Sequence, residues 1–205
     1  MIQVYTFLPS DYFGSNCYVI NADGEYAVVD PSVDYSVVSS KLGNISDLVK
    51  YILLTHCHFD HIAMIDSWVT ACKGATVIVG KDDGPSLSDP VTNCYLGFLG
   101  VYDGYNGDYV GVTEVDKLTL GKMEIRVIEC PGHTRGGVSY RIGDEIFVGD
   151  TVFDGGGYGR CDLPGGDFSA LEKSIIKLIT READGRVYPG HGNFTTLERV
   201  IKNFM

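Results

Sequence analysis

The sequence has little positive charge. Its 205 residues include 16 lysines and arginines against 27 acidic residues, which leaves a net charge of −11. The basic residues are scattered along the chain, and no stretch collects them into a cluster. Because a nucleic-acid interface needs a basic face, we expect no nucleic-acid partner for this protein.

Long apolar runs are also missing. No stretch approaches the roughly 18 consecutive apolar residues of a membrane-spanning helix. The opening residues, "MIQVYTFLPSDYFGSNCYVI", lack the basic start, apolar centre and small-residue cleavage site of an export signal. None of the six cysteines forms a Cys-x-x-Cys motif, so we expect reduced thiols rather than a set of disulfides. These absences favour a cytoplasmic protein without a membrane partner.

What is present is typical of a globular domain, with 44% apolar and 21% charged residues. The chain contains no internal repeat and no linker-like run, so we expect a single domain over residues 1–205. Short segments rich in valine, isoleucine and aromatic residues alternate with helical ones. The clearest helix is "DFSALEKSIIKLITRE", for which Asp167 is a suitable N-cap. This alternation predicts an α/β fold with two sheets and outer helices.

Residues 84–121 are rich in glycine and tyrosine and have weak periodicity. A loop of this length inside a compact domain is usually functional or mobile. The alternative is a surface excursion with a few tyrosines packed down. We expect residues 84–115 to border a substrate cleft and to offer flat contact surfaces from Tyr95, Tyr102, Tyr105 and Tyr109.

Histidine is scarce, yet three of the five histidines fall within the stretch "THCHFDHI". The stretch follows the strand-like run "LVKYILL" and precedes a helical pattern, so it lies at a strand-to-helix turn. His56 and His58 are two residues apart and point the same way in an extended chain. Asp60 and His61, past the turn, can address a second point beside the first. Because one metal ion needs about three or four protein ligands, this split favours more than one metal.

The other two histidines extend this pattern. His133 lies in "CPGHT" and His191 in "YPGHG", and each follows a strand-like segment. Asp150 ends the segment "EIFVGD" in the same way. Side chains at strand ends can converge on one edge of a sheet, so we expect all of them to meet at a metal site.

With these motifs the chain resembles the metallo-β-lactamase superfamily, and within it the glyoxalase II-like hydrolases. The resemblance covers nearly the whole chain and rests on "NCYVI", "AVVDPS", "THCHFDHI", "PGHTRGGVSY", "FVGDTVF", "GRCDLPGGD" and "YPGHGNFTT". It implies a four-layer αββα sandwich with the site at one edge, between the two sheets.

The resemblance also implies a ligand set for two divalent metal ions. Zinc is the expected metal, with iron or manganese as alternatives. A water or hydroxide shared by the two ions is the implied nucleophile, and Asp60 has the catalytic role of orienting it. The first ion would be held by His56, His58 and His133, the second by Asp60, His61 and His191, and Asp150 would bridge them.

The implied activity is hydrolysis of a small thioester, with S-lactoylglutathione as the reference substrate and lactone or ester cleavage close to it. Two divalent ions, two carboxylates and a hydroxide leave a slightly positive site, which suits a small anionic substrate. The chain continues only a short way past "YPGHG", whereas full-length glyoxalase II has a further helical region. We therefore expect weak binding of the glutathione tail. The sequence does not indicate an oligomeric state.

Two other functions share this ligand string. Persulfide dioxygenases of the same fold hold one iron ion, here through His56, His133 and Asp150. A non-catalytic metal-binding module is the other alternative, although such proteins usually lose ligands. The motif "GRCDLPGGD" looks more like the hydrolase branch.

Residues outside the ligand set have less specific signals. Asp30 is either a carboxylate that orients a ligand histidine or a turn cap. Cys57 is expected to point away from the site as a packed thiol, and Cys161 is expected to be structural rather than a ligand. We expect Tyr158 to contact the substrate. Arg135 is expected either to meet an anionic substrate near the site or to be a solvated surface group.

Overall fold

Two β-sheets of six strands each form the centre of the computed structural model, which describes residues 2–9, 14–182 and 184–204. The first sheet contains, in spatial order, Ile2–Phe7 (β1), Cys17–Ala22 (β2), Glu25–Val29 (β3), Val49–Leu53 (β4), Thr76–Gly80 (β5) and Val110–Val112 (β6). β1, β2 and β3 are antiparallel neighbours, and β3 to β6 run parallel. Valine and isoleucine dominate these strands because branched side chains pack well on a pleated surface.

The second sheet contains Lys117–Leu120 (β7), Met123–Glu129 (β8), Val138–Ile142 (β9), Glu145–Gly149 (β10), Arg186–Pro189 (β11) and Thr195–Thr196 (β12), again in spatial order. β8 and β9 are antiparallel, as are β9 and β10, whereas β10 and β11 are parallel. β8, β10 and β11 therefore run in the same direction. Their carboxyl ends lie at one edge of the sheet, and the polar residues that follow each strand are brought together there.

Helices cover the outer faces of the two sheets. They are Tyr35–Leu42 (α1), Phe59–Ile62 (α2), Ile65–Ala71 (α3), Tyr95–Leu99 (α4), Phe168–Arg181 (α5) and Leu197–Phe204 (α6), with 3-10 turns at Ser46–Leu48, Gly84–Ser88 and Asp154–Gly156. The segment with weak periodicity thus contains α4, β6 and β7, three short elements that the sequence did not predict.

Three separate hydrophobic cores define four layers. Ile52 and Leu53 are neighbours on β4, and alternation sends their side chains to opposite faces of the sheet. Ile52 belongs to the core under the outer helices with Trp68 of α3, and Leu53 belongs to the core between the sheets with Phe147 of β10. A third core lies between the second sheet and α5 and α6, and it includes Leu178. The order is helix, sheet, sheet, helix, which confirms the predicted αββα sandwich.

α5 follows directly from its sequence. The Asp167 carboxylate accepts a hydrogen bond from the backbone N–H of Ala170 at 3.0 Å, which satisfies one donor of the first turn. The buried residues recur at helical spacing and form one stripe against the second sheet, namely Leu171, Ile175, Leu178 and Ile179.

Replacing Leu178, which is fully buried on α5, with alanine should lower the free energy of unfolding by about 2–5 kcal/mol, because the site cannot collapse onto the lost atoms. Ile176→Ala, at a position 51% exposed on the same helix, is the matched control and should change it by no more than about 0.5 kcal/mol. Trp68 is the only tryptophan and is buried, so denaturant unfolding can be followed by its fluorescence. Equal effects from the two substitutions would contradict the assignment of the buried face.

The helical pattern predicted after the histidine-rich stretch, "HIAMIDSWVTAC", does not form one continuous helix. α2 ends at Ile62 and α3 begins at Ile65. The Met64 N–H donates to the Pro31 carbonyl at 2.9 Å, and the Asp60 carbonyl accepts from the Ser15 hydroxyl at 3.2 Å. Both groups that would form the connecting helical hydrogen bond therefore have partners from other parts of the fold.

The six cysteines are free, as the sequence predicted. Five of them are buried and Cys161 is half-buried. Within residues 2–9, 14–182 and 184–204, no helix combines the length and the apolar character needed to cross a membrane.

Candidate metal centre

The histidine-rich loop begins where β4 ends. The Leu54 N–H still donates to the Ile78 carbonyl of β5 at 2.8 Å, so the chain leaves the sheet just before the first histidine. His58 has extended backbone angles, with φ −65° and ψ 147°, and is the last residue before α2. His56 and His58 therefore precede the helix, whereas Asp60 and His61 lie in its single turn. This division is the one expected from the sequence.

The structure brings all seven predicted ligand residues together. Their side-chain donor atoms form three overlapping groups in which all ligand atoms lie within 4.8 Å of one another. The groups are His56, His58 and His133; His56, His61 and Asp150; and Asp60, His61 and His191. Two of the three groups match the two ligand sets that the resemblance implied.

Asp150 lies between these two sets. Its Oδ2 is 3.5 Å from His133 Nε2 and 3.7 Å from His191 Nε2. Its Oδ1 is 3.4 Å from His61 Nε2. One carboxylate thus faces members of both sets, which is the position required of a bridging ligand.

The donor set fits a metal ion. The Nε2 atoms of His56, His58 and His61, together with Asp150 Oδ1, are buried and have no hydrogen-bond partner among the described residues. Buried polar atoms without partners are rare in proteins because their desolvation is not compensated. Imidazole nitrogen and carboxylate oxygen are ligands that zinc, iron and manganese accept.

Other residues fix the orientation of two of the predicted ligand rings. His61 Nδ1 lies 2.8 Å from Asp30 Oδ2, and His133 Nδ1 lies 2.7 Å from the Arg160 carbonyl oxygen. Each of these Nδ1 atoms can donate its hydrogen outward, which leaves Nε2 with a lone pair facing the site. Asp30 also accepts from the backbone N–H of Thr55 at 2.8 Å. The geometry therefore favours the orienting role of Asp30 over that of a simple turn cap.

His58 is oriented differently from the other ligands. Its Nδ1 lies 2.9 Å from His133 Nε2, so these two ring nitrogens face each other. Burial lowers the pKa of His58 to about 3, and the nearby His133 adds to this. Burial also lowers the pKa of His56 well below its usual value, with His61 as the next cause. Both rings are therefore neutral, which is the state a metal ligand requires.

The pKa of His61 is shifted in the opposite direction. Burial acts to lower its pKa, but the three carboxylates around it, led by Asp60, outweigh burial and raise the pKa well above its usual value. Burial acts to raise the pKa of Asp150, but the surrounding histidines, led by His61, outweigh it and lower the pKa. The inner part of the site is thus an arrangement of ionised carboxylates that favours a cation at the histidine nitrogens.

A cavity of about 340 Å³ opens onto the site. His58, Asp60, His133, Asp150 and His191 all reach it. The rest of its lining is mostly apolar and includes Phe59, Cys94, Phe98, Phe153 and Leu163. Phe98 belongs to α4, and its ring centroid lies 5.4 Å from that of Phe59.

Arg160 is the cationic residue of the cavity, and sequence reasoning did not identify it. Its guanidinium forms two hydrogen bonds of 2.7 Å to the Asp162 carboxylate and lies 5.9 Å from the centroid of the Phe98 ring. The two bonds use Nε and Nη2, so Nη1 keeps both its hydrogens for a carboxylate or phosphate. The sequence signal that could have identified Arg160 is its position in the motif "GRCDLPGGD", next to Gly159, which also lines the cavity.

The structure places Tyr158, which was predicted to contact the substrate, outside the lining of this cavity. Its ring lies 5.8 Å from Phe168 and 6.5 Å from Phe204, between α5 and α6, and it is not among the residues that line the cavity. Gly155 and Gly156 have φ of 82° and 87°, which only glycine adopts readily, and they turn the chain just before Tyr158.

Arg135, which was predicted either to meet an anionic substrate or to be a solvated surface group, also lies outside the lining of this cavity. Arg135 lines a different cleft, of about 570 Å³, together with Lys81, Asp167 and Lys173. The backbone N–H of the next residue, Gly136, is bound to the Asp83 carboxylate at 2.5 Å. This bond anchors the turn that carries Arg135. The alternative, an exposed surface arginine, is the one that the structure supports.

Cys57 and Cys161 were expected to be packed or structural thiols rather than metal ligands. Cys57 is buried with its Sγ 4.0 Å from the Thr92 carbonyl oxygen, and Cys161 Sγ is 3.5 Å from the Gly159 carbonyl oxygen. Neither cysteine belongs to a metal-ligand group of the described chain.

Residues 84–115 do border the cavity, but through Cys94 and Phe98 rather than through any of the four tyrosines.

Comparison with known proteins agrees with this geometry. The profile of the metallo-beta-lactamase superfamily matches residues 11–191. A probable metallo-hydrolase of Streptococcus pyogenes is 34% identical over 192 residues, which are 90% of this chain and 82% of that protein. The crystal structure of BLEG-1, a B3 metallo-beta-lactamase, superposes with a TM-score of 0.87 at 30% identity and covers 98% of this chain and 97% of that one. The di-iron-bound form of TTHA1623 superposes with a TM-score of 0.81 at 27% identity and covers 97% and 98%. The chain therefore belongs to the metallo-β-lactamase superfamily.

Proposed function

We propose that this chain is a metal-dependent hydrolase of small thioesters, of the glyoxalase II-like branch, with two divalent ions. The observation that carries the proposal is the set of buried donor atoms without partners, His56 Nε2, His58 Nε2, His61 Nε2 and Asp150 Oδ1. Each of these atoms destabilises the fold unless something binds it, so the set supports bound metal ions, and metal ions are what the proposed hydrolysis requires.

The proposed ligand sets are two of the three overlapping groups of donor atoms. His56, His58 and His133 would hold the first ion, and Asp60, His61 and His191 would hold the second, since the donor atoms of each set lie within 4.8 Å of one another. Asp150 would be shared between the two. When bound, divalent ions act as Lewis acids and lower the pKa of water enough to supply hydroxide near neutral pH. Zinc is the proposed metal, although the mixed nitrogen and oxygen set also suits iron, which the similar TTHA1623 binds as a di-iron pair.

The residues of the chain have separate tasks. Asp60 reaches the cavity, its Oδ2 lies 3.0 Å from His191 Nε2, and its carboxylate can accept a hydrogen bond from the attacking water and so orient it. Asp30 keeps His61 facing inward. Phe59 and Phe98 supply an apolar wall of the cavity, and apolar surroundings strengthen electrostatic interactions beside them.

The cavity supports a small thioester with a negative charge. Of the described residues that line it, Arg160 is the one lysine or arginine, and its guanidinium suits a carboxylate or phosphate. The remaining walls are apolar and suit a short acyl group. A volume of about 340 Å³ is at the low end for ligand pockets, so a tripeptide carrier such as glutathione would extend beyond it.

We expect the enzyme to hydrolyse S-lactoylglutathione but to gain little from the tripeptide. The lactoyl group on a small thiol such as N-acetylcysteamine should reach a kcat/KM within about tenfold of it, a gap of about 1.4 kcal/mol. The physical reason is that a remote part of a substrate helps only where the protein contacts it. The measurement is a side-by-side assay of the two thioesters on protein whose metal content is known.

Other results of this assay would change the proposal in different ways. A preference of about a thousandfold or more for the glutathione form would indicate a dedicated tripeptide pocket and contradict the expected weak binding. Oxygen uptake on glutathione persulfide without thioesterase activity would indicate a mononuclear iron dioxygenase. Turnover of lactones or β-lactams alone would keep the hydrolase and exclude the thioester. Wild-type protein that binds no metal would overturn the whole proposal.

A further inference from the structure

Asp83 lies outside the proposed ligand sets, yet it is one of the most buried charged residues of the described chain. It follows β5 in the segment "GKDDGP" and is 1% exposed, whereas its neighbour Asp82 is exposed. Its backbone N–H donates to the Gly80 carbonyl at 2.9 Å, which closes the turn and directs the side chain inward. A buried carboxylate destabilises a fold unless hydrogen bonds or charges compensate it.

The compensation comes from the two loops that carry the first ligand set. Oδ2 accepts from the backbone N–H of Cys57 at 3.2 Å and from the hydroxyl of Thr134 at 2.7 Å. Oδ1 accepts from the backbone N–H of Gly136 at 2.5 Å. Cys57 stands between His56 and His58, and Thr134 directly follows His133. One side chain therefore connects the loop after β4, in the first sheet, with the loop after β8, in the second.

The contacts of Asp83 require a carboxylate. All three partners are donors, and a carboxylate has two acceptor oxygens whereas an amide has one. An asparagine would turn its NH₂ group toward at least one of the donors. Gly136 also approaches so closely that a Cβ there would lie 2.2 Å from the Asp83 backbone nitrogen.

We propose that Asp83 is a positioning residue for the first metal ion: it sets the distance between His56 and His58 on one loop and His133 on the other. This inference rests on the proposed metal site but not on the proposed substrate. Asp83 touches no residue of the second set in the hydrogen bonds described, so its effect should be confined to one of the two ions. If Asp83 only stabilised the fold, its replacement would weaken the binding of both ions to the same extent.

The test compares Asp83→Asn with Asp82→Asn, which removes a charge at the adjacent exposed position. Metal-free proteins are titrated with Zn²⁺ against a chromophoric chelator, and with Co²⁺ to record the ligand-field spectrum. Asp83→Asn should weaken one of two binding steps by about 10–100-fold and alter the Co²⁺ spectrum of that step, as is typical when a residue supporting a ligand is lost. Asp82→Asn should match the wild type. The His133→Ala variant identifies which step belongs to the first ion.

Binding of both ions within about twofold of the wild type, or an equal loss at both, would overturn the inference. If Asp83→Asn does not fold, two substitutions of Thr134 decide. Thr134→Val removes one of the three donors and should weaken the same step several-fold, and Thr134→Ser should restore it. Wild-type binding by Thr134→Val would then overturn the inference. A wild-type protein that binds two ions but no thioester would contradict only the proposed function.

Discussion

Replacing Asp150 with alanine should abolish hydrolysis and disturb both metal ions. The carboxylate lies between the two ligand sets, 3.4 Å from His61 Nε2 and 3.5 Å from His133 Nε2. Its loss removes a proposed ligand of both ions and uncovers three histidines that repel one another when charged. We expect kcat/KM to fall by at least about a thousandfold, which corresponds to roughly 4 kcal/mol, and metal content to fall below two ions per chain.

Asp154→Ala is the matched control for Asp150→Ala. Asp154 lies in the same loop, its Oδ1 is 3.3 Å from Arg199 Nε, and it belongs to no metal-ligand group of the described residues. This variant should keep its metal and its activity. Both quantities are measured on the same preparations, by elemental analysis and by thioesterase assay. Wild-type turnover and a full complement of metal in Asp150→Ala would show that the bridging role is wrong.

The second large effect concerns His133 and His191, which belong to different proposed ligand sets. His133→Ala should deplete the first ion preferentially, and His191→Ala the second. His133 is buried, and its Nδ1 is held by the Arg160 carbonyl, whereas the His191 side chain is 38% exposed. Loss of one ligand out of three or four weakens a site strongly, so each variant should retain about one ion per chain.

The exposed neighbours of these histidines provide controls. Arg135→Ala, whose side chain lines the other cleft, and Asn193→Ala should both keep two ions. Co²⁺ spectra of the two histidine variants should differ from each other, since each keeps a different ligand set. Retention of both ions in either histidine variant would contradict its assignment. Loss of both ions in one variant would indicate that the two sites are coupled through Asp150.

Much of the site could be predicted from the sequence because its ligands follow strands. His56, His133, Asp150 and His191 each come shortly after a strand, and strands that run the same way deliver such residues to one edge of a sheet. The two-residue spacing of His56 and His58 and the short turn before His61 are local features that the sequence shows directly. The stripe of α5 was equally visible, since helical periodicity needs no knowledge of partners.

The features that the sequence did not predict depend on contacts between distant parts of the chain. α4 has only five residues, too few to be stable alone, and it is held in place by packing such as that of Phe98 on Phe59. The break between α2 and α3 depends on the Pro31 carbonyl, which no local pattern reveals. Tyr158 was expected at the substrate because it follows the glycine run after Asp150, but its ring lies beside Phe168 of α5 and Phe204 of α6, which no local pattern reveals.

Each proposed ligand set takes residues from both sheets. His58 and His133 are 75 residues apart in the sequence, and Asp60 and His191 are 131 apart. An ion held by either set is therefore a cross-link that closes a long loop, and such links restrict the unfolded chain most. An ion present at a thousand times its dissociation constant would add about 4.1 kcal/mol to the stability of the folded state. Chains without metal would lack this stabilisation, so a larger fraction of them would be unfolded at any moment and open to proteases.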